Sequence, residues 1–144
     1  MSRRRRPDHA IRITNRINLH HCDLLGVAWH GRYYEWLEAA RTELFISRDL
    51  DIPAIRDMGY KMFITESRCR NMAPLSYGDE VEITAWFSEV TPLIRVAYDL
   101  HNVATGRWSG RASTILATTD FDGKLHGSTP EDLLERLPDL SSRT

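Results

Sequence analysis

The sequence predicts an α+β fold: one antiparallel sheet whose apolar face is covered by a single long helix. Three observations carry this. Apolar residues alternate at a period of two in the first segment and again in later ones, the spacing changes to three and four over only one long stretch, and the extended segments after that stretch follow one another with turn residues between them. At 144 residues the chain suits one domain able to bury its own core. We expect that domain at 10–138, with a flexible basic N-terminus at 1–9 and a flexible C-terminus at 139–144.

Taken in order, Ile11, Ile13, Ile17 and Leu19 fall on odd numbers and predict a strand over 10–19. Residues 20–29 show neither period and contain Gly26, so they form a loop. From Gly31 to about Arg48, Tyr33, Trp36, Leu37, Ala40, Leu44 and Phe45 recur at three and four, which predicts the long helix, with Glu38 and Arg41 able to pair on its flank. Residues 53–58 suggest a short turn ended by Gly59.

The rest reads as extended: 60–70, then 80–90 with Val81, Ile83, Ala85 and Phe87 alternating, then 93–103 with Ile94, Val96, Tyr98 and Leu100 alternating. Three strands in succession predict an antiparallel meander. A last strand over 108–121 ends at Asp122-Gly123, and a short helix over 130–136 closes the domain, with Thr129 as its cap and Pro130 at the first helical position.

Composition narrows the function classes. Lys and Arg number 19 against 20 Asp and Glu, a formal charge of -1, so the chain as a whole lacks the electrostatic footprint of a nucleic-acid binder. The local exception, Arg3 to Arg6 beside Pro7, has no aromatic interleaving and reads as a solvated terminus. Nothing approaches the roughly 18 apolar residues of a membrane span, and no apolar segment follows the arginines as an export signal requires. With only Cys22 and Cys69, far apart, neither a disulfide framework nor a zinc site is indicated, and we expect a cytoplasmic protein without metal or bound cofactor.

The loop before the helix is where chemistry concentrates. A lone carboxylate, Asp23, stands just upstream of a helix opening at His30 and Gly31, where unpaired N–H groups and the macrodipole favour an anion by about 0.3 to 1 kcal/mol each. The other reading of Asp23 is a turn or capping acid. His20, His21, Cys22 and Asp23 are all ligand types, but neighbours on an extended chain point to opposite sides and rarely close on one ion. Cys22 with a nearby His is a further nucleophile option, with nothing in the sequence to lower its pKa.

The run Asp23-x-x-Gly26-x-x-x-His30-x-x-Tyr33, followed by Glu38-x-x-Arg41-Thr42-Glu43, resembles the signature of the 4-hydroxybenzoyl-CoA thioesterase family. Downstream, Gly59, Glu66, Ala73-Pro74, Tyr77 and Asp79 to Val81 extend the likeness, which covers about 11–121. The resemblance implies the hotdog fold, in which an antiparallel sheet wraps one long helix. It implies a homodimer or homotetramer, and hydrolysis of an acyl- or aroyl-CoA thioester. It also assigns Asp23 as nucleophile or general base and the N–H of residue 30 as oxyanion donor. Leu19 and His21 depart from it, standing where many relatives carry a Tyr and an acid.

Thioester hydrolysis needs an activated nucleophile and a place for the charge that grows on the carbonyl oxygen. Gly26 lets the loop approach the acyl group, and Trp29 and Tyr33 are candidates to line its pocket, although apolar residues at helical spacing also serve as core. The family's basic cluster after the third strand is reduced here to Arg95, the candidate for substrate phosphates, with Arg70 or Arg107 as the alternatives elsewhere in the chain. The alternatives are a thioester donor carried on an acyl carrier protein and a non-catalytic module that binds acyl-CoA.

Overall fold

A computed structural model of the chain describes residues 6–140. Its elements are β1 (Ile11–Arg16), a 3-10 turn (Leu19–His21), α1 (Gly31–Ile46), α2 (Ile52–Asp57), β2 (Lys61–Asn71), β3 (Glu80–Glu89), β4 (Ile94–Asn102), β5 (Trp108–Thr119) and α3 (Glu131–Arg136). The strands form one five-stranded sheet, every neighbouring pair antiparallel, in the order β1-β3-β4-β5-β2.

The period-2 pattern does the work its spacing predicts. Val81, Ile83 and Phe87 of β3 and Ile94, Val96, Tyr98 and Leu100 of β4 are wholly buried, and they face the stripe Tyr33, Trp36, Leu37, Ala40, Leu44 and Phe45 of α1. Each such large side chain contributes about 1.5–3 kcal/mol by leaving water. Leu133 and Leu137 from the α3 region close the core. Among the described residues no helix is long and apolar enough to cross a membrane.

Several expectations are corrected. β1 stops at Arg16: Ile17 stays in the core, but Leu19 is 73% exposed, because the chain tightens into the 3-10 turn and the alternation ends there. The meander is β3-β4-β5, whereas β2 crosses to the far edge and pairs with β5, since the free side of β3 is taken by β1 (Ile11 opposite Ala85). Thr129 does not cap α3. Its hydroxyl donates to the carbonyls of Val90 and Pro92, and Pro130 takes the cap position.

Among the described residues Glu38 and Arg41 form no ion pair, and Arg32 and Glu35 pair instead at 2.8 Å; Arg41 is half-buried, its positive charge opposing the rise that burial gives the Tyr98 phenol pKa. Arg6, expected in a solvated terminus, donates from Nε and Nη2 to Oδ2 of the buried Asp99, at 3.2 and 3.0 Å. His9 Nε2 accepts from the Phe87 N–H at 2.9 Å, so residues 6–9 lie against the sheet. Arg3 to Arg5, and residues 141–144 of the expected flexible C-terminus, lie outside the described residues.

Candidate active site

Residues 22–28 fold as a small hairpin with Cys22 bridged to Ala28. The Asp23 N–H donates to the Val27 carbonyl, the Gly26 N–H to the Asp23 carbonyl, and the Leu25 N–H to Asp23 Oδ1 at 2.9 Å. One carboxylate oxygen thus builds the turn and the residue is exposed. Gly26 adopts φ +77, the left-handed region that favours glycine, and this closes the turn. Leu24 and Leu25 at the tip are exposed apolar side chains.

The hairpin is tied to the connection between β2 and β3: Ala28 N–H donates to Leu75 O at 2.6 Å, Tyr77 N–H to Gly26 O at 3.2 Å, and Val27 bridges Ser76. Its other anchor is Trp29 N–H to His21 O at 3.0 Å. His21 is itself held by its Nδ1, which accepts from the Asn18 N–H at 2.9 Å. Desolvation, then the neighbouring His20, holds the His21 pKa below its ordinary value.

At the start of α1, Arg32 and Tyr33 direct their N–H groups to the carbonyls of Trp29 and His30. Among the described residues, the N–H groups of His30 and Gly31 have no acceptor, as the helix rule requires of first-turn donors without a side-chain cap. His30 also lines a cavity of ≈ 270 Å³, with Ala28, Tyr33, Asn71, Met72 and Pro74, among others. Tyr33 is almost fully buried, and desolvation raises its phenol pKa, with Cys69 adding to this and the Leu75 backbone opposing it. The phenol is therefore a neutral hydrogen-bonding group at neutral pH.

His30 and Tyr33 are thus brought to one cavity. Trp29 stands beside it, 53% exposed, with its ring 5.1 Å from that of His30. Asp23 and Gly26 sit on the adjoining hairpin and do not line that cavity. Arg95 is elsewhere: it projects from the sheet face opposite α1 and pairs with Glu89 at 3.3 Å.

Sequence reasoning missed Asn71 and Met72, which reach the helix tip only because β2 ends there. It also missed a larger apolar groove of ≈ 520 Å³ between α1, α2 and the start of β2, lined by Phe45, Leu50, Ile55, Met62, Ile64 and Leu116, among others. The exposure of Phe63 (49%) and Ile64 (44%) along an open edge strand is legible only once the sheet order is known.

Part of the sequence and the fold match known proteins. Residues 25–93 match the family model described as the Thioesterase superfamily. Over 68 residues the chain is 29% identical to an Aquifex aeolicus (strain VF5) protein provisionally named an esterase, covering 47% of this chain and 53% of that one. The chain spans about half the length of the curated relatives it matches. A 1,4-dihydroxy-2-naphthoyl-CoA thioesterase from Synechocystis superposes with a TM-score of 0.79 at 15% identity, covering 93% of this chain and 99% of that one.

A 4-hydroxybenzoyl-CoA thioesterase, crystallised as an Asp→Asn variant with 4-hydroxybenzoyl-CoA bound, superposes with a TM-score of 0.79 at 21% identity, covering 90% of this chain and 99% of that one. The chain is a hotdog-fold protein, and the segment from its loop hairpin through its long helix to β3 carries the pattern of the Thioesterase superfamily.

Proposed function

We propose that this chain is a thioesterase that hydrolyses an acyl or aroyl thioester of CoA to the free acid and the thiol. The observation that carries the reading is the pair of unpartnered N–H groups at the start of α1, at His30 and Gly31, with His30 lining a cavity and the adjoining hairpin presenting one carboxylate, Asp23. The thioester carbonyl oxygen takes its growing negative charge at the N–H of His30. Asp23 acts in one of two ways. As general base it takes a proton from water while the water oxygen attacks the carbonyl carbon; as nucleophile it forms an acyl-carboxylate anhydride that water then opens. Either way the carbon–sulfur bond breaks, and the thiolate leaves with the electron pair and is protonated.

A second copy completes the site in this reading. β2 is an edge strand, and pairing it antiparallel with its own copy satisfies its open backbone groups and covers Phe63 and Ile64. Antiparallel pairing sets the Asn71 end of one strand beside the Lys61 end of the other. The helix-tip donors of one copy then adjoin the apolar groove of its partner, which receives the acyl body out of water. A homodimer is the minimum unit, and two such pairs make a homotetramer.

Thiol release from a panel of acyl-CoA, acyl-pantetheine and acyl-carrier-protein substrates tests the proposal. Asp23→Asn is expected to lower kcat by roughly 10²- to 10⁴-fold with substrate binding retained. Turnover by the wild type that Asp23→Asn leaves intact removes Asp23 from the mechanism. A wild type that binds acyl-CoA and turns over no thioester is the non-catalytic module instead.

A further inference from the structure

The sheet face turned away from α1 carries a depression of ≈ 410 Å³ that brings Arg95 and Arg70, both candidates from the sequence for substrate phosphates, together with further arginines. Its floor is small, with Ala97, Ala112, Ser88 and Ser113, and four guanidinium groups, those of Arg68, Arg70, Arg95 and Arg111, line it together with Trp86. Among the described residues no carboxylate is in the lining.

The sheet register explains how these charges meet. Arg70 of β2 lies directly opposite Arg111 of β5, and Arg68 directly opposite Ser113. Like charges placed directly across a strand pair destabilise a sheet; Arg111 has Asp99 of β4 directly opposite on its other side, so the charge of the pair that lacks a cross-strand counter-charge is that of Arg70. Carboxylates outside the depression meet three of the arginines: Glu66 meets Arg68 at 2.7 Å, Glu89 meets Arg95 at 3.3 Å, and Asp99 meets Arg111 at 3.5 Å while it also holds Arg6 at 3.0 Å. Arg70 has no ion-pair partner among the described residues.

From this juxtaposition we infer that the outer sheet face is an anion site for phosphate groups, built on the facing Arg70 and Arg111 with Arg68 and Arg95 at its rim. Planar guanidinium forks match phosphate oxygens in pairs, and several of them around one concavity favour a diphosphate or a phosphomonoester over a lone carboxylate. Arg68 and Arg70 are exposed on an edge strand, so the ligand can enter from solvent without any rearrangement of the core. Two sources supply this chemistry: the nucleotide end of a CoA thioester, which rests on the proposed activity, and a free nucleotide or inorganic phosphate, which does not.

Calorimetric titration with inorganic pyrophosphate tests the site in the full chain. Wild type is expected to bind it with an affinity that falls as salt rises. The double variant Arg68→Gln/Arg70→Gln is expected to bind at least about tenfold more weakly, the loss of two charge-assisted contacts. Arg56→Gln, on the exposed flank of α2, is the control and is expected to bind as wild type does. Amide shifts that move on β2 and β5 in the wild type support the site without any variant.

Absence of pyrophosphate binding, or equal binding by the double variant, overturns the inference. A raised KM for acyl-CoA in the double variant, with kcat and the KM for acyl-pantetheine held, identifies the source as the nucleotide end of CoA. An unchanged acyl-CoA KM with pyrophosphate binding lost identifies a free phosphate ligand. If the wild type turns over no thioester, the thioesterase reading fails while the pyrophosphate titration still decides this site.

Discussion

The indole of Trp29 lies across the first residue of the long helix, so close that a Cβ built on Gly31 would collide with its Cζ3. No side chain fits there unless the ring moves. Gly31→Ala is therefore expected to push the half-exposed indole outward, raising its quenching by acrylamide. The stability change should stay within about 1 kcal/mol, because the ring swings into solvent and alanine favours the helix. Unchanged Trp29 quenching would show that the ring does not cover the helix tip.

Asp99 is wholly buried between Arg6 and Arg111, and both arginines face its carboxylate. Asp99→Asn leaves two guanidinium groups without their shared carboxylate and is expected to cost up to the roughly 3–5 kcal/mol of a broken buried pair. Arg6→Ala should cost less, since Arg111 still faces the carboxylate. Urea unfolding of the two variants gives the order, and a larger loss for Arg6→Ala would contradict it.

Thr129 fastens the α3 end of the chain to the turn between β3 and β4 through the carbonyls of Val90 and Pro92. Thr129→Val keeps the shape, removes the donor, and is expected to cost about 1–3 kcal/mol, whereas Thr129→Ser should recover most of it. Equal midpoints for Val and Ser in denaturant would refute the role of the hydroxyl.

The loop hairpin carries its own pH dependence. His21 Nδ1 accepts from the Asn18 N–H, and burial lowers its pKa from the ordinary 6.5. Between that value and the lowered one the unfolded chain binds a proton that the folded chain does not, so stability present above pH 6.5 is lost as the pH falls through the lowered value. Following the His21 ring and the Asn18 amide by NMR should show one shared transition below pH 6.5. A His21 inflection at or above that value would remove the argument.

The sequence by itself determined the fold class and most of the elements. Residues such as Tyr33, Trp36 and Leu37, or Val81, Ile83 and Ala85, announce their conformation through spacing within a few positions, and that spacing acts before any tertiary contact forms. The helix opening at Gly31 was legible for the same local reason, whereas residues 20–29, which show neither period, read only as a loop and not as the hairpin they form.

What only the tertiary structure decided depends on pairings between residues far apart in the chain. Thr129 left α3 for the carbonyls of Val90 and Pro92, and Arg6 left solvent for Asp99, because a buried polar group takes the partner that three dimensions supply. The crossing of β2 to the far edge set Asn71 at the helix tip and placed Arg70 opposite Arg111. Strand order and register are long-range choices settled by packing, so no window of the sequence holds them.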